Sequence, residues 1–248
     1  MTQLPSRGRS SQRSVSTRSE LAYYVLEMRN SVSVVAAALG MLWASSASAQ
    51  VFGNRGDAAF GAERLMGLHT DHVFQDSAVP GDRGTNYDTT TFGLGWFGHA
   101  APSPFDIPRL TFDYFIAEHW SLGGALAYAT TDITANNGRG GAPDTSSGAE
   151  FLFNPRVGYA HMFGRVVGIW PRAGLTYHSE TVNNNGNLNG FALGIEAQFV
   201  FVPATHFAFL LGPSFDLDFT GRWRPTQGSE VDHGYRSLGL QVGLLGWI

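Results

Sequence analysis

The sequence predicts an all-β protein: an antiparallel, up-and-down transmembrane β-barrel of eight strands, preceded by a cleaved N-terminal signal helix. Three observations predict it. Runs of residues alternate with a period of two between apolar side chains and small or charged ones. The connections between these runs alternate short and long from Leu110 onward. The N-terminal region also has the pattern of a secretory signal.

The composition fits a barrel and excludes several other classes of protein. The 248 residues are 43% hydrophobic and 13% aromatic, with 31 glycines, no cysteine and a mean hydropathy of −0.08. The aromatic content argues against disorder, and the lack of cysteine rules out disulfides and thiolate metal sites. All 16 basic residues are Arg, and the formal net charge is −4 without a basic patch, which argues against a nucleic-acid partner.

The N-terminal part divides into a leader, a signal and a linker. Residues 28–49 have a short basic start, an apolar core and a small-residue A-x-A end, and cleavage is expected after Ala49. Residues 1–27 are polar and precede a good start at Met28, so they are expected to be a non-native or disordered leader. Residues 50–59 are the linker, and residues 60–248 are the predicted barrel.

Two early segments are the hardest to place. Phe60–Thr70 is a plausible first strand, but its phase is unclear, so neither Glu63 nor Arg64 is assigned to a face. The alternating run Thr90–Trp96 is either an external hairpin or an extension that folds over the barrel mouth. The choice between eight and ten strands depends on this run. The alternation of short and long connections gives seven strands from Leu110 onward, and one more makes the even total of eight.

The hairpin Phe191–Phe219 is the clearest element. Its two runs place aromatic and aliphatic residues on one face and small or charged residues on the other, separated by a break at residues 202–206. Each run is longer than the usual soluble strand of about 5–6 residues and close to the roughly 9–11 that cross a tilted bilayer. The apolar face is therefore predicted to point at lipid and the other face into the barrel.

The lengths of the connections predict an orientation. Short turns at Glu118, Gly164 and Pro203 are expected on the periplasmic side, because outer-membrane barrels have short periplasmic turns and long external loops. The long connections are then external, and they comprise residues 132–149, 180–189 and 220–234.

These features resemble the small outer-membrane β-barrel families, the eight-stranded relatives of the outer-membrane protein A barrel. The resemblance rests on Asp113-Tyr114-Phe115-Ile116, on Ser121-Leu122-Gly123 and on the C-terminal strand. It implies Sec export to the bacterial outer membrane and assembly by periplasmic chaperones and the barrel-assembly machinery, as a monomer. Such families usually end in an aromatic residue, whereas here Trp247 is penultimate and Ile248 is last.

The inward phase predicts a polar network in the lumen. Eight strands leave an interior that side chains just fill, and charged groups there must be paired or hydrated. The network is either a structural plug or a narrow polar conduit, open or gated, with Arg109 near one end. The predicted members are Asp113, Arg156, Arg172, Glu196, Asp216 and Asp218.

The outward phase predicts two aromatic belts at the membrane interfaces, in contact with outer-membrane lipid and lipopolysaccharide. The belt residues are Trp120, Tyr128, Phe151, Phe163, Tyr177, Phe201, Phe207 and Phe219. A soluble lipocalin-like barrel is the alternative fold, and it would turn this apolar face inward around a ligand.

Two other residue patterns are weighed and not adopted. His119-x-Ser121 beside Glu118 resembles the arrangement of outer-membrane lipid A deacylases, yet the connection parity places it at a periplasmic turn. His69 and Asp71, with the neighbouring His72, form a minimal metal-ligand set in a loop. The prediction is therefore no enzyme, with no catalytic, cofactor or metal site.

The predicted function is that of an integral outer-membrane barrel with a structural or surface-interaction role through its external loops. The alternatives are a narrow channel for small solutes or ions, an outer-membrane lipid hydrolase, and a soluble lipocalin-like ligand binder.

Overall fold

The computed structural model describes residues 52–77, 84–95, 103–135, 144–182, 186–226 and 229–248. The predicted leader (residues 1–27) and signal segment (residues 28–49) lie outside these residues. The strands are β1 (Ala58–Gln75), β2 (Thr85–Leu94), β3 (Arg109–Ala117), β4 (Trp120–Ala135), β5 (Asp144–Tyr159), β6 (His161–Met162), β7 (Val167–Val182), β8 (Gly186–Ala204), β9 (Phe207–Asp218), β10 (Arg222–Pro225) and β11 (Val231–Trp247).

Eight of these strands close into a ring. Going round it, β1 is followed by β3, β4, β5, β7, β8, β9 and β11, every neighbouring pair is antiparallel, and β11 pairs back onto β1. Where a strand is paired on both sides, closure satisfies its main-chain donors and acceptors. The predicted eight-stranded antiparallel barrel is confirmed. None of the helical residues that the structure describes forms a segment long and apolar enough to span a bilayer.

The two faces of the wall differ sharply in chemistry. On the outside, Phe199, Phe209 and Leu240 are 51%, 41% and 53% exposed. Their neighbours in the opposite phase point inward, and buried arginines and carboxylates are among the groups that fill the interior. A soluble lipocalin-like barrel would reverse this arrangement, so that alternative is wrong.

The clearest predicted hairpin forms as expected. Strands β8 and β9 pair from Ala192 opposite Asp218 up to the turn, with a register shift between Phe201 and Ala204. His206 in this turn has φ = 61°, and His119 in the β3–β4 turn has φ = 69°. Positive φ is uncommon outside glycine, and histidine is one of the few residues enriched there.

A bulge in β1 explains why the sequence alone did not show which residues of the first strand face the lumen. The register of β1 against β11 shifts between Ala62 and Met66, and Arg64 in that interval has φ = 55°. Because the bulge adds a residue, Glu63 and Arg64 both face the interior although they are consecutive. No single alternation fits a strand that changes phase in its middle.

The second strand of the barrel is split in two. Strand β3 pairs with the lower part of β1, from Ala58 to Glu63, and β2 pairs with its upper part, from Met66 to Gln75. Residues 90–94 of the Thr90–Trp96 run belong to β2, which pairs with β1 as the upper half of this wall strand rather than as a hairpin outside the barrel, and Trp96 lies outside the described residues. Of the residues that connect the two halves, 103–108 are all buried inside the barrel and include a 3₁₀ turn at Pro104–Asp106.

The strands on the side of the long connections extend further than expected. Residues 132–135 and 144–149, which the sequence assigned to a loop, continue β4 and β5, and residues 180–182 and 186–189 continue β7 and β8. Ladder hydrogen bonds use only the main chain, so Asn, Ser and Thr residues extend a hairpin once its register is set by the apolar part. The short connections lie at residues 118–119, 163–166 and 205–206, so the predicted turns at Glu118 and Gly164 are found in place, while Pro203 lies at the end of β8, two residues before its turn.

Candidate functional site: the barrel lumen

Four arginines and four carboxylates form a neutral ion network at mid-barrel. Arg156 binds Glu63 at 2.8 and 2.9 Å and Asp113 at 2.6 Å. Arg172 binds Glu196 at 2.7 Å and also contacts Glu63. All these side chains are buried, so each charge depends on its partners for stabilisation.

The second half of the network joins residues 103–108 to the wall. Arg64 donates to Asp216 at 2.7 Å and to Glu196 at 3.3 Å. Its other terminal nitrogen donates to the carbonyl oxygen of Phe105, to which Arg109 also donates at 3.3 Å. Residues 103–108 are thus fixed inside the barrel by the two arginines that the bulge and the start of β3 direct inward. We name residues 103–108 the plug segment.

Five of the six predicted lumen residues lie in this network: Asp113, Arg156, Arg172, Glu196 and Asp216. Asp218 is also buried but lies apart from the network, with its carboxylate 3.1 Å from His178 Nε2. Arg109, predicted near one end, lies 3.9 Å from Glu196 and 4.0 Å from Asp216. The sequence missed the membership of Glu63 and Arg64, because only the bulge turns both inward.

Below the network, an aromatic cluster closes the end of the barrel with the short turns. Phe52, just before β1, packs its ring 5.2 Å from the rings of Phe115, Trp170 and Trp247. The segment is held by main-chain bonds from Gly56 to Phe115 and from His119 to Gly53. The indole of Trp170 lies under the guanidinium of Arg172 at 4.4 Å, so this floor and the ion network share a contact.

Above the network, the interior combines an apolar cluster with buried polar pairs, such as His69 with Asp106 and His178 with Asp218. The plug segment contributes Phe105 and Ile107 to a buried cluster that is completed by wall residues from five strands. The ring of Phe105 lies 5.3 Å from His178 and 6.0 Å from Tyr235. The wall members are Val73, Ala127, Leu152, Leu188, Ala192 and Tyr235.

The lumen has little empty volume at the level of the ion network. A cavity of about 10 Å³ lies between Arg109, Arg156, Arg172 and Glu196. That is at the lower limit of the space that holds one water molecule. The aromatic cluster around Phe52 lies below this cavity and the plug segment lies above it.

The other candidate chemistry does not assemble. Ser121 is buried and its hydroxyl accepts a hydrogen bond from Trp170 Nε1 at 3.2 Å. His119 is instead partly exposed, with its Nε2 3.6 Å from Glu118. The hydroxyl is therefore engaged away from the surface on which a lipid substrate would bind.

The suggested metal set is likewise divided between two faces. His69 and Asp71 point into the barrel, whereas His72 points out and binds Asp88 at 2.7 Å. Among the residues that the structure describes, no group of three or more His, Asp or Glu side chains is arranged to hold a metal ion.

The predicted belt residues all point away from the lumen. Tyr177 and Phe207 are half-buried, and the other six are exposed. Several pair with rings on adjacent strands, such as Trp120 with Tyr159 at 5.1 Å and Tyr177 with Phe191 at 5.4 Å. Their contact with a membrane stays a prediction.

Comparison with known proteins gives matches in structure only. No family model matches the sequence, and no curated protein sequence matches it. The solved structure of outer membrane protein AlkL in DMPC lipid bilayers is 10% identical, with 82% of this chain and 94% of that chain covered and a TM-score of 0.51. The fold is that of a small outer-membrane β-barrel.

Two other solved barrels match over similar lengths. OprG from Pseudomonas aeruginosa is 12% identical, with 80% of this chain and 99% of that chain covered and a TM-score of 0.49. Neisserial surface protein A is 12% identical, with 77% and 99% covered and a TM-score of 0.46. At these identities the likeness concerns the fold alone.

Proposed function

We propose that the protein is an integral barrel of the bacterial outer membrane, closed along its axis, that acts at the cell surface through its long hairpins and external loops. The observation that carries the location is the outward apolar face, where side chains such as Phe199 and Leu240 stay exposed while charges fill the interior. Only an apolar surrounding makes that distribution favourable, because apolar surface on this scale is costly in water.

The location is tested by fractionation of cells that express the full chain. The protein is expected to stay with the outer-membrane fraction after carbonate and high-salt washes, and to run with heat-dependent gel mobility. Release by either wash would overturn the membrane location.

The closed lumen supports a surface role over a channel. A path for solutes along the axis would have to pass the ring cluster around Phe52, the ion pairs of Arg156 and Arg172, and the plug segment. The purified full chain in planar bilayers is expected to show no conductance above that of bilayers without protein. Stable conductance steps would instead establish the channel.

The hydrolase alternative is tested separately. Mass analysis of lipid A from cells that express the chain is expected to show an unchanged acylation pattern, because Ser121 is buried and bonded to Trp170. Loss of an acyl chain that depends on His119 would restore the hydrolase.

The partners we propose follow from this location. Lipopolysaccharide and the other outer-membrane lipids would surround the exposed rings, and periplasmic chaperones and the barrel-assembly machinery would insert a Sec-exported chain as a monomer. Depletion of the assembly machinery is expected to reduce the amount of heat-modifiable protein. Unchanged folding after depletion would contradict that dependence.

A further inference from the structure

Two glutamates lie side by side on the inner wall near the mouth of the barrel. Glu150 of β5 is directly opposite Glu180 of β7 in the antiparallel ladder. Directly opposite side chains share a face, with their Cβ atoms about 4.5–5.5 Å apart. The next residues of that face, Leu152 and His178, are buried inside the barrel, so both carboxyl groups point inward.

The pair lies on the external side of the predicted aromatic belt. Phe151 and Tyr177 belong to that belt, and their rings are 6.4 Å apart. Glu150 precedes Phe151 on β5, which runs away from a long connection, and Glu180 follows Tyr177 on β7, which runs towards one. The carboxyl groups therefore belong to the hairpin extensions beyond the membrane-spanning part. For this orientation the inference rests on the proposed function.

The neighbours of the pair do not neutralise it. Ala129 lies opposite Glu150 on β4, and Leu188 lies opposite Glu180 on β8, so apolar side chains flank the carboxyl groups on both sides. Glu180 accepts a hydrogen bond from the Tyr235 hydroxyl at 3.3 Å. Glu150 Oε2 is buried and has no hydrogen-bond partner among the residues that the structure describes.

The other titratable groups around the pair supply no dedicated counter-ion. They are Tyr235 on β11, Tyr87 on β2, Asp71 on β1 and His178 on β7 itself. Of these only the histidine can carry a positive charge, and its Nε2 lies 3.1 Å from the carboxylate of Asp218. Within the described ranges, neither glutamate forms an ion pair with an arginine.

This arrangement favours a shared proton. Two adjacent carboxylates repel each other, and removal from water favours the neutral form of each. Burial, together with the charge of Glu180, raises the pKa of Glu150 to about 8, and burial also raises the pKa of Glu180. A carboxyl group whose pKa is higher in the folded chain stabilises the fold while it is protonated. That contribution is lost as the pH rises through the folded value.

We propose that Glu150 and Glu180 form a pH-sensitive carboxyl joint that holds the β4–β5 and β7–β8 hairpins together at the mouth of the barrel. While the joint keeps a proton, the two side chains lie side by side. When both are ionised, their repulsion separates β5 from β7 beyond the belt. Separation uncovers the apolar cluster that contains Leu152 and Leu188, so the joint controls access to this part of the interior.

The test uses the full chain, which has no cysteine of its own, in phosphatidylcholine vesicles. Ser147→Cys on β5 and Asn187→Cys on β8 receive spin labels, because both residues lie beyond the belt in neighbouring hairpins. The distance between the labels is expected to lengthen reversibly when the pH is raised from neutral to mildly alkaline. A constant distance, in protein that stays in the vesicles after a carbonate wash, overturns the carboxyl joint but not the membrane location.

Three glutamine substitutions assign the response to the pair. Glu150→Gln and Glu180→Gln each leave at most one charge in the carboxyl joint, so either change is expected to abolish the lengthening. Glu118→Gln, in the exposed β3–β4 turn at the other end of the barrel, is the matched control and should keep it. A pH response that persists in either variant of the pair, with wild-type heat-dependent mobility, overturns the proposal.

The proton is measured separately in the wild-type chain by infrared difference spectroscopy. Isotope-labelled glutamate distinguishes the pair from buried aspartates such as Asp106. The band of a protonated glutamate is expected to disappear over the same pH range in which the labels move apart. If no such band is lost in that range, the carboxyl joint is overturned even where the hairpins move.

Discussion

The interior of the barrel is filled by different groups in its two halves. In the half with the short turns, eight strands close the wall and the space inside is filled by rings around Phe52 and by the ion network. In the other half, the wall is interrupted between β2 and β4, and the chain itself enters to fill the space with the plug segment. The first half is filled by a network of paired charges, whereas the second combines apolar side chains of the plug segment with smaller polar pairs such as His69 with Asp106.

The difference has a physical basis. Charges such as Glu63 and Arg156 are stable inside because lipid is excluded and every charge has a partner. The buried charged groups of the other half also lie close to partners, with His69 3.1 Å from Asp106 and His178 3.1 Å from Asp218.

The largest expected effect is in the ion network. Asp216→Ala leaves Arg64 short of its nearest carboxylate and is expected to lower the free energy of unfolding by about 3–5 kcal/mol. Urea unfolding in vesicles and the temperature at which heat-resistant gel mobility is lost both measure it. Asp232→Ala, an exposed acid on β11, is the control and should change little. Unchanged mobility together with unchanged conductance would remove both a structural and a conduit role for Asp216.

The second-largest effect is expected in the aromatic cluster formed by Phe52, Phe115, Trp170 and Trp247. Phe52→Ala removes a ring that packs against three others, and it is expected to cost about 3 kcal/mol because the cavity left behind cannot fully collapse. Phe163→Ala, at an exposed turn, serves as the matched substitution. If the two variants unfold at the same urea concentration, the aromatic cluster around Phe52 does not stabilise the half of the barrel with the short turns.

A smaller effect tests the position of β2. The hydroxyls of Thr70 and Thr90 are 3.4 Å apart across the β1–β2 ladder, and the chain has no cysteine of its own. Thr70→Cys with Thr90→Cys is expected to form a disulfide and to stabilise the barrel by about 2 kcal/mol.

Non-reducing gels and urea unfolding measure this disulfide. The combination Thr70→Cys with Thr91→Cys is the control and should stay reduced, because residue 91 points to the opposite face. A disulfide in the control but not in the first pair would mean that β2 is shifted by one residue.

The smallest effect is at the surface, where β10 carries an exposed ion pair. Hydrogen bonds from Arg222 and Arg224 lower the pKa of Glu230. A carboxyl with a depressed folded pKa stabilises above its unfolded pKa, and that contribution is lost as the pH falls through the folded value. Because the pair is exposed to solvent, Glu230→Gln and the wild type are expected to unfold at the same urea concentration at neutral and acidic pH. A clear separation at neutral pH that vanishes in acid would assign this pair a structural role.

Much of the wall was predictable from the sequence because a barrel strand is a local pattern. Phe199 and Phe209 alternate with small or charged residues over runs long enough to fix the phase, and the short turns fix which runs are neighbours. The same alternation placed Asp113, Arg156 and Arg172 on the inward face. These predictions need only the period of a strand and the cost of exposing apolar surface to water.

The parts that escaped prediction depend on positions where alternation fails. At the β1 bulge two consecutive residues face inward, so Glu63 and Arg64 had no assignable face. The plug segment has no period at all, and its prolines read as a broken strand. Which carboxylate meets which arginine depends on residues far apart in the chain, such as Arg64 and Asp216.

The amino-acid sequence by itself determined that the chain is a closed antiparallel wall with apolar side chains outside, since alternation and turn length act between near neighbours. Only the tertiary structure decided that the second strand is divided, that residues 103–108 enter the lumen, and that β2 does not pair with β4 beside them. The physical reason is that these features arise when ring closure brings residues that are distant in the sequence together around Phe105. Such contacts leave no periodic pattern in the local sequence.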